Sequence, residues 1–412
     1  MRFQRTRIAS QSTQVLRALS ARSGWLVESP TELRCGFGGV VDTPQLSSGL
    51  DGRDVASLFD GHELVGDDGP VGSGVIAFAS LPFDRLAPAH LAIPRFTITQ
   101  DRSGAAWLTE LVGSPAWEPL LDEVSLPTQE PQTIRSVSYL PTPEEYAHHV
   151  ALAVERLRRR ELDKVVLARA VTGTVPEPID PAAIAQRLRT REPYCTIYSL
   201  PLPDGRRYVG ASPELLARRI GPSIQLHPLA GTIALPANVA PDDYENWLLG
   251  STKNLHEHEV LVTDLIRRLA DDYQDLEADP SPSIVTLRTV AHLGTWINGT
   301  HRGTSEAPDA LEILRLLHPT AAVGGIPRDV ATTLIASLEP HSRGHYAGPV
   351  GWLDAAGDGE WWIGIRGVIV GGTSFEAWAG AGIVSESDPI AEREETRDKL
   401  TSVLSSVLAD RV

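Results

Sequence analysis

The sequence places three glutamates where helices could bring their carboxylates together. Glu392 and Glu395 are three positions apart on a predicted C-terminal helix and therefore share a face. Glu257 lies between His256 and His258 on a second predicted helix. Carboxylates gathered from separate helices form an oxygen-only site that suits Mg²⁺, which keeps several waters and engages anionic substrates. Surface helices also carry solvated glutamates, so the pattern alone leaves both interpretations open.

Two further residues could supply acid–base chemistry. Lys164 opens the apolar segment 164–171, where a desolvated lysine could be neutral and act as a general base. Glu214 follows a turn in segment 210–216, where burial would raise its pKa and keep it protonated as a general acid. A solvated amine at a strand end and an ordinary strand-edge carboxylate are the alternatives.

Other segments could bind an anion. Arg366 lies inside the strand-like segment 363–370, where its guanidinium could grip a carboxylate through two hydrogen bonds or pair with an acid of the protein. Glycines in segments 228–232, 318–328 and 379–383 would let backbone N–H groups approach an anion, or they could mark bulges and tight turns. Each of these signals is ambiguous when it is taken alone.

Composition limits the functions that are open to the chain. Its 412 residues carry 37 basic and 53 acidic side chains, and this formal charge of −16 argues against nucleic acid or an anionic membrane as the main partner. Cys35 and Cys195 are the only thiols, so neither a disulfide framework nor a cysteine metal cluster is available, and we expect a reducing, cytoplasmic setting. No apolar run is long enough to predict a membrane span.

The elements that must position these residues follow a mixed α and β pattern. Residues 1–140 read as short strands with no usable motif, and residues 141–412 carry the chemistry, so we expect an N-terminal part of the fold followed by a catalytic region. Helices are predicted at 142–160, 182–188, 242–270, 307–317, 329–338 and 388–408. Strands joined by both hairpins and helices indicate an α+β fold with large, mainly antiparallel sheets and helices packed outside.

The order of short motifs in the second region resembles that of the chorismate-utilising enzymes, and most of all the isochorismate synthases. The motifs are Lys164-Val-Val-Leu-Ala-Arg169, Gly210-Ala-Ser-Pro-Glu214, Pro228-Leu-Ala-Gly-Thr232, Glu257-His258, His292-Leu293, His318-Pro-Thr320, Arg343-Gly-His-Tyr-Ala-Gly348, Ile365-Arg366, Ala379-Gly-Ala-Gly-Ile383 and Glu392-x-x-Glu-Thr-x-x-Lys399.

The resemblance implies a fold like that of anthranilate synthase component I, with two subdomains around a cleft, and an isomerase that converts chorismate into isochorismate with Mg²⁺. Matched to the family, Lys164 is the base that activates water and Glu214 is the acid on the opposite face of the ring. The matched metal ligands are Glu257, Glu392 and Glu395. The matched substrate-binding residues are Gly231, Thr232, His292, Tyr346, Arg366, Gly380, Gly382 and Lys399.

Two positions separate this reaction from those of related enzymes. Anthranilate-forming relatives place Gln at the position of Lys164 and use ammonia from a glutaminase partner, and aminodeoxychorismate synthases carry Lys at the position of Ala230. Lys164 with Ala230 therefore points to water as the nucleophile, with no glutaminase partner. Salicylate synthase, which shares both residues and also eliminates pyruvate, stays an alternative, as does a chorismate-binding protein without catalysis. The segment 318–328 is more similar to the isochorismate group.

The family context leads to further expectations. We expect a role in siderophore or menaquinone synthesis and, because nothing indicates an obligate partner, a monomer. Two segments depart from the family's pattern. Asn254 replaces an acid that often lies three residues before the metal glutamate, which predicts weaker metal binding. Segment 233–236, Ile-Ala-Leu-Pro, stands where the family usually continues with Arg after Thr232, which predicts an altered substrate affinity.

Overall fold

The computed structural model describes residues 1–47, 49–51, 55–235, 241–273, 275–303 and 307–410. The helices are α1 Thr13–Ser23, α2 Val55–Leu58, α3 Glu118–Asp122, α4 Pro143–Arg158, α5 Pro181–Arg191, α6 Pro241–Leu249, α7 Thr252–Leu269, α8 Ala310–Leu317, α9 Arg328–Leu338 and α10 Pro389–Leu404. The strands are β1 Arg2–Ile8, β2 Trp25–Glu28, β3 Glu32–Asp42, β4 Gln45–Leu46, β5 Glu63–Gly66, β6 Ile76–Ser80, β7 Ala89–His90, β8 Ile93–Asp101, β9 Ala106–Leu111, β10 Ser136–Leu140, β11 Lys164–Thr174, β12 Thr196–Pro201, β13 Arg207–Ser212, β14 Leu215–Ile220, β15 Ser223–His227, β16 Leu229–Ala234, β17 Glu277–Ala278, β18 Ser283–Thr286, β19 Val290–Gly294, β20 Ile297–Thr300, β21 Gly325–Ile326, β22 Pro349–Asp354, β23 Gly359–Ile363, β24 Gly367–Gly371 and β25 Ser374–Ile383.

The largest sheet runs in the order β10-β11-β25-β24-β13-β12-β2-β3-β8-β9-β1-β5, with β21 added beside β11. Its pairings are antiparallel apart from β1 with β5. A second sheet has the order β17-β20-β15-β14-β23-β22-β6, and a small one the order β16-β19-β18. Strands from residues 1–140 therefore share the large sheet with strands from the second region.

Helices cover the sheets from outside. On one side Tyr146 and Val150 of α4 join the strand residues Val165 and Leu167 in a buried cluster, to which α7, α8 and α9 also contribute. The faces of the two larger sheets meet in an aromatic cluster that includes Tyr198 from the large sheet. These layers confirm the predicted α+β class with large, mainly antiparallel sheets and outer helices.

Some element boundaries differ from the prediction. The helix predicted at 242–270 is two helices, because Gly250 interrupts it and Ser251 caps the next helix by accepting a hydrogen bond from the Asn254 backbone N–H. The first region also contains α1, which follows the cap residue Ser12 and was not predicted. Among the described helices, none has the length and apolar character that a membrane crossing requires.

Candidate active site

A polar cavity opens where the large sheet, the small three-stranded sheet, α7 and α10 meet. The centre of a water molecule can move within about 70 Å³ of it, and the cavity is partly open to solvent. The predicted site residues that line it are Glu214, Gly231, Thr232, Glu257, His292, Tyr346, Arg366, Gly380, Gly382, Glu395 and Lys399. The remaining two, Lys164 and Glu392, are buried behind this wall and bind neighbouring site residues.

Lys164 is the first residue of β11 and is 1% exposed, so its amine is not solvated as the alternative interpretation required. Its Nζ lies 2.9 Å from Oε1 of Glu257, which reaches across from α7. Burial raises the pKa of Glu257, but the charge and hydrogen bond of Lys164, together with the charges of Lys253 and Lys399, lower the pKa overall. A Cβ on Gly382 of β25 would lie 2.1 Å from Glu257 Oε1, so glycine there makes room for the ion pair.

Glu214 lies between β13 and β14 and is buried. Ser212 anchors this turn, because its hydroxyl donates to the Ile363 carbonyl and accepts from the Glu214 backbone N–H. Burial raises the pKa of Glu214 to about 8, although Lys164 and Lys399 oppose the rise. The side chain is therefore mostly protonated at neutral pH and can donate a proton.

Each of the three predicted metal carboxylates is paired with a lysine. Glu257 contacts Lys164, as described above. Lys253 Nζ lies 2.7 Å from Glu392 Oε1, and Lys399 Nζ lies 2.6 Å from Glu395 Oε1. Burial raises the pKa of Glu392, and the charge of Glu395, three residues later on the same helix, raises it further.

The carboxylates fit a divalent cation only if these lysine contacts are exchanged. Within the described ranges, no group of three His, Cys, Asp or Glu side chains is already arranged to hold a metal ion. However, burial lowers the pKa of Lys253 while the charges of Glu392, Glu257 and Glu395 raise it above its usual value, so all three carboxylates act on one ammonium. Carboxylates have the charge and the oxygen donors that Mg²⁺ requires, so these three could hold it once they turn from their lysines to one common position.

The predicted location of Arg366 inside a strand is wrong, because the residue lies in a kink between β23 and β24. Its φ of +53° is in the left-handed region, which is unusual for a residue other than glycine. The kink is held by Ala211, whose backbone N–H donates to the Arg366 carbonyl at 3.1 Å. The kink aims the guanidinium into the cavity, where strained backbone often marks a functional site.

Hydrogen bonds fix the protonation of His292. Arg366 Nη2 lies 3.0 Å from His292 Nε2, and because arginine can only donate, Nε2 must accept. The proton of the neutral ring is therefore on Nδ1, which donates to Thr232 Oγ1 at 2.9 Å. Burial, and then the Arg366 charge, lower the pKa of His292 well below its usual value. The Thr232 hydroxyl proton is left free to point toward the cavity.

Tyr346 and the glycines of β25 form another wall. The Tyr346 ring stacks on Trp378 with centroids 5.7 Å apart, and a Cβ on Gly380 would lie 3.1 Å from its hydroxyl. Burial raises the pKa of Tyr346 to about 12, so the phenol remains a donor. Lys399 Nζ donates to the Gly380 carbonyl at 2.9 Å, which joins α10 to this strand.

Sequence reasoning missed two residues of this region. Arg343 lines the cavity and forms a buried ion pair with Glu339. Lys253 also had no predicted role. Composition could have drawn attention to Lys253, because the chain has only three lysines, Lys164, Lys253 and Lys399, against 34 arginines.

The two departures from the family pattern have different surroundings. Asn254 is buried on α7 close to Gly231, where a Cβ would lie 3.0 Å from the Asn254 Cβ. Ile233 packs against an apolar cluster that includes Leu248 and Leu293. Pro236, the last residue of the second departure, lies outside the described residues.

Comparison with known proteins agrees with this fold. The family model described as chorismate binding enzyme matches residues 70–408. The chain therefore belongs to the chorismate-binding enzyme family.

Within that family, similar sequences are isochorismate synthases. The chain is 34% identical over 355 residues to isochorismate synthase EntC of Escherichia coli (strain K12), which covers 85% of this chain and 84% of that protein. It is 36% identical over 347 residues to the putative isochorismate synthase MenF of Mycobacterium tuberculosis (strain ATCC 25618 / H37Rv), covering 82% and 87%.

Solved structures show the same architecture. The menaquinone-specific isochorismate synthase MenF from Escherichia coli superposes with a TM-score of 0.81 at 26% identity, covering 98% of this chain and 94% of that one. Anthranilate synthase component I from Streptococcus pneumoniae superposes with a TM-score of 0.71 at 20% identity, covering 98% and 92%. The predicted likeness to the fold of anthranilate synthase component I is thus confirmed.

Proposed function

We propose that this chain is an isochorismate synthase, an isomerase that converts chorismate into isochorismate. The observation that carries the proposal is that a lysine and a carboxyl group, Lys164 and Glu214, are both buried next to one cavity, where burial raises the pKa of the carboxyl group. The names of similar proteins support both siderophore and menaquinone synthesis as the pathway, since they include EntC and MenF.

The reaction requires a base and an acid at the same time. Water attacks the ring carbon beside the carboxylate-bearing carbon, and the 4-hydroxyl leaves as water. Lys164 accepts the proton of the attacking water, and Glu214 gives its proton to the departing hydroxyl, so the product is an isomer of the substrate. In the described arrangement Lys164 is paired with Glu257. It can act as a base only after this contact opens and the amine loses its proton.

The cavity supplies donors for the two substrate carboxylates. Arg366, Lys399 and the free Thr232 hydroxyl proton are proposed to bind them, with His292 holding two of these donors in place. The phenol of Tyr346 adds a further donor. Gly231, Gly380 and Gly382 keep side-chain atoms out of the substrate's path.

Glu257, Glu392 and Glu395 are proposed to hold Mg²⁺. A bound divalent cation would neutralise the ring carboxylate and polarise the conjugated ring for attack. The protein's part is to present these carboxylates from α7 and α10, two separate helices, at one edge of the cavity.

The assembly, location, partners and domain organisation of the chain are also proposals. We propose a monomeric, cytoplasmic enzyme that needs no glutaminase, nucleic acid or membrane partner, and whose catalytic region is 141–412 with residues 1–140 as the N-terminal part of the fold. The net charge of −16 supports the absence of polyanionic partners. Lys164 supports water, and not ammonia, as the nucleophile.

The test is product analysis after incubation with chorismate and Mg²⁺. Isochorismate as the accumulating product supports the proposal. Salicylate with an equimolar amount of pyruvate would instead identify a salicylate synthase. Binding of chorismate without turnover would leave a non-catalytic chorismate-binding protein.

A further inference from the structure

Lysine occurs at three positions in the 412 residues, and each of these lysines contacts a different glutamate of the cavity edge. Lys164 and Lys399 have roles in the proposed function, but Lys253 has none. The chain uses arginine for its other 34 basic side chains. This distribution indicates that the position of Lys253 requires an ammonium group and not simply a positive charge.

The local setting of Lys253 opposes a cation. It is the second residue of α7, in the first turn, where the positive end of the helix dipole disfavours lysine. The first turn contains no acidic residue to offset this effect. Lys253 reaches instead to α10, where Glu392 accepts its hydrogen bond at 2.7 Å. The contact with Glu392 therefore stabilises the Lys253 ammonium at a position where the dipole of α7 disfavours a positive charge.

The Lys253 ammonium neutralises a buried carboxylate. Glu392 is 1% exposed and would be an isolated buried anion without this partner, apart from a hydrogen bond that Ser387 donates at 2.7 Å. Its side chain is 32% exposed, so a path to solvent is open to the ammonium.

We propose that Lys253 is the internal counter-ion of Glu392, one of the three proposed metal carboxylates, and that it holds this carboxylate in the metal-free protein and swings to solvent when Mg²⁺ binds. This inference rests on the metal-dependent function proposed above. An ammonium suits the role because it is a compact, strongly hydrated charge on a flexible stem. A guanidinium would hold carboxylates through two parallel hydrogen bonds and would resist exchange.

The test is the affinity for Mg²⁺, measured by calorimetry in the absence of chorismate and repeated with Mn²⁺ by electron paramagnetic resonance. Lys253→Met removes the competing charge and should tighten Mg²⁺ binding by about tenfold or more. Lys253→Arg keeps the charge and should weaken binding by about tenfold. The matched control is Arg397→Met, which removes a cation from the exposed side of α10 and should change the affinity by less than about twofold.

Lysine NMR gives a second measurement that does not need the Met variant to fold. Protein labelled with ¹³C at the lysine ε carbon should give three resonances, and the one absent from Lys253→Arg identifies Lys253. Addition of Mg²⁺ should move this resonance toward that of a solvated lysine.

Weaker Mg²⁺ binding in Lys253→Met would overturn the proposal, because it would mean that Lys253 positions Glu392 as a ligand. Parental affinity in both variants, or a Lys253 resonance that ignores saturating Mg²⁺, would also overturn it. Failure of the proposed function is seen separately, as an absence of chorismate turnover in the parent protein.

Discussion

Lys164 and Glu214 are both buried, but their surroundings differ. Burial of a carboxyl group favours its protonated form. Lys164 is paired with Glu257, whereas the pKa of Glu214 stays raised although the Leu229 backbone N–H at 3.4 Å and the charges of Lys164 and Lys399 oppose the rise. In the described structure Glu214 can therefore donate a proton, whereas Lys164 must first separate from Glu257 before it can act as a base.

The role of Lys164 predicts the kinetics of Lys164→Ala. Loss of a general base should lower kcat for isochorismate formation by about 10²–10⁴-fold and leave chorismate binding largely intact. Steady-state rates and direct binding of chorismate measure the two effects, with the exposed Arg397→Ala as a control of similar charge. Unchanged turnover in Lys164→Ala would reject the assignment.

The pKa of Glu214 predicts the basic limb of the pH profile. Because the acid must be protonated, kcat/KM should fall as pH rises through about 8. Stability should change in the same direction. Between about pH 4.5 and 8 the folded protein keeps a proton that the unfolded chain releases, so the contribution of Glu214 to the free energy of unfolding falls as pH rises.

Glu214→Gln provides the comparison for both effects. The variant should lose most of its turnover and should also lose this part of the pH dependence of unfolding, measured by urea titration at several pH values. A basic limb near pH 8 that persists in the residual activity of the variant would show that another group is responsible.

The side chains with distinctive chemistry could be predicted from their motifs, but their partners could not. Lys164 opens an apolar strand, and that position left both a buried and a solvated amine open. Nothing in the strand pattern shows that its partner is Glu257, 93 positions later on a helix. Lys253 was missed for a related reason, since a lysine in a helical segment normally lies in solvent.

Strand β25 controls the geometry of the site at the level of elements. Its pairing with β11 places Gly382 opposite Val166 and Gly380 opposite Ala168. Both glycines border the cavity next to larger side chains from α7 and the loop that carries Tyr346. At these two positions the strand therefore leaves the cavity free of side-chain atoms.

The variant Gly382→Ala tests whether the site needs a residue without a side chain at this position of β25. The added methyl group would lie 2.1 Å from Glu257 Oε1 and 3.1 Å from Lys164 Cε, so the pair must shift. We expect turnover to fall by about 10- to 100-fold, as when supporting residues of a metal site are changed. Gly371→Ala is the control, because its methyl group meets only the flexible Arg206 side chain. Parental rates for Gly382→Ala would contradict the role assigned to this glycine in the site.

Arg343 connects three elements around the cavity. Its guanidinium pairs with Glu339 next to the C-terminus of α9 and donates to the carbonyls of Val166 and Val323. Arg343→Met should therefore destabilise the protein by about 3–5 kcal/mol, since it leaves a buried carboxylate unpaired. Urea unfolding measures this change, and adding Glu339→Leu should recover part of it. A loss as small as that of a surface ion pair would contradict the account.

Helices and strands could be predicted where the apolar periodicity and the capping residues agree. They were predicted less well where a single residue interrupts a helix or a strand. The start of α10 follows from Asp388 as its cap and Pro389 as its first residue. The break at Gly250 was missed because one glycine within a helical pattern is often tolerated. The kink at Arg366 was missed because a left-handed residue other than glycine leaves no mark in the pattern.

The charge of the whole molecule opposes the binding of an anionic substrate, whereas the local cations of the cavity favour it. A chain with net charge −16 repels a dianion, so the binding free energy must come from those local cations. The cavity edge collects all three lysines of the chain together with Arg343 and Arg366. The overall sheet order that brings these residues together could not be derived from the sequence pattern, because it depends on pairings between strands far apart in the chain.

The central claim is that Lys164 activates a water molecule that adds to chorismate. It is tested most directly by running the reaction with Mg²⁺ in H₂¹⁸O and analysing early product by mass spectrometry. The account predicts isochorismate that carries one ¹⁸O atom in its new hydroxyl group, and no such product from Lys164→Ala or in the presence of a chelator. Isochorismate without ¹⁸O would show that the substrate's own hydroxyl migrates, and it would contradict the account.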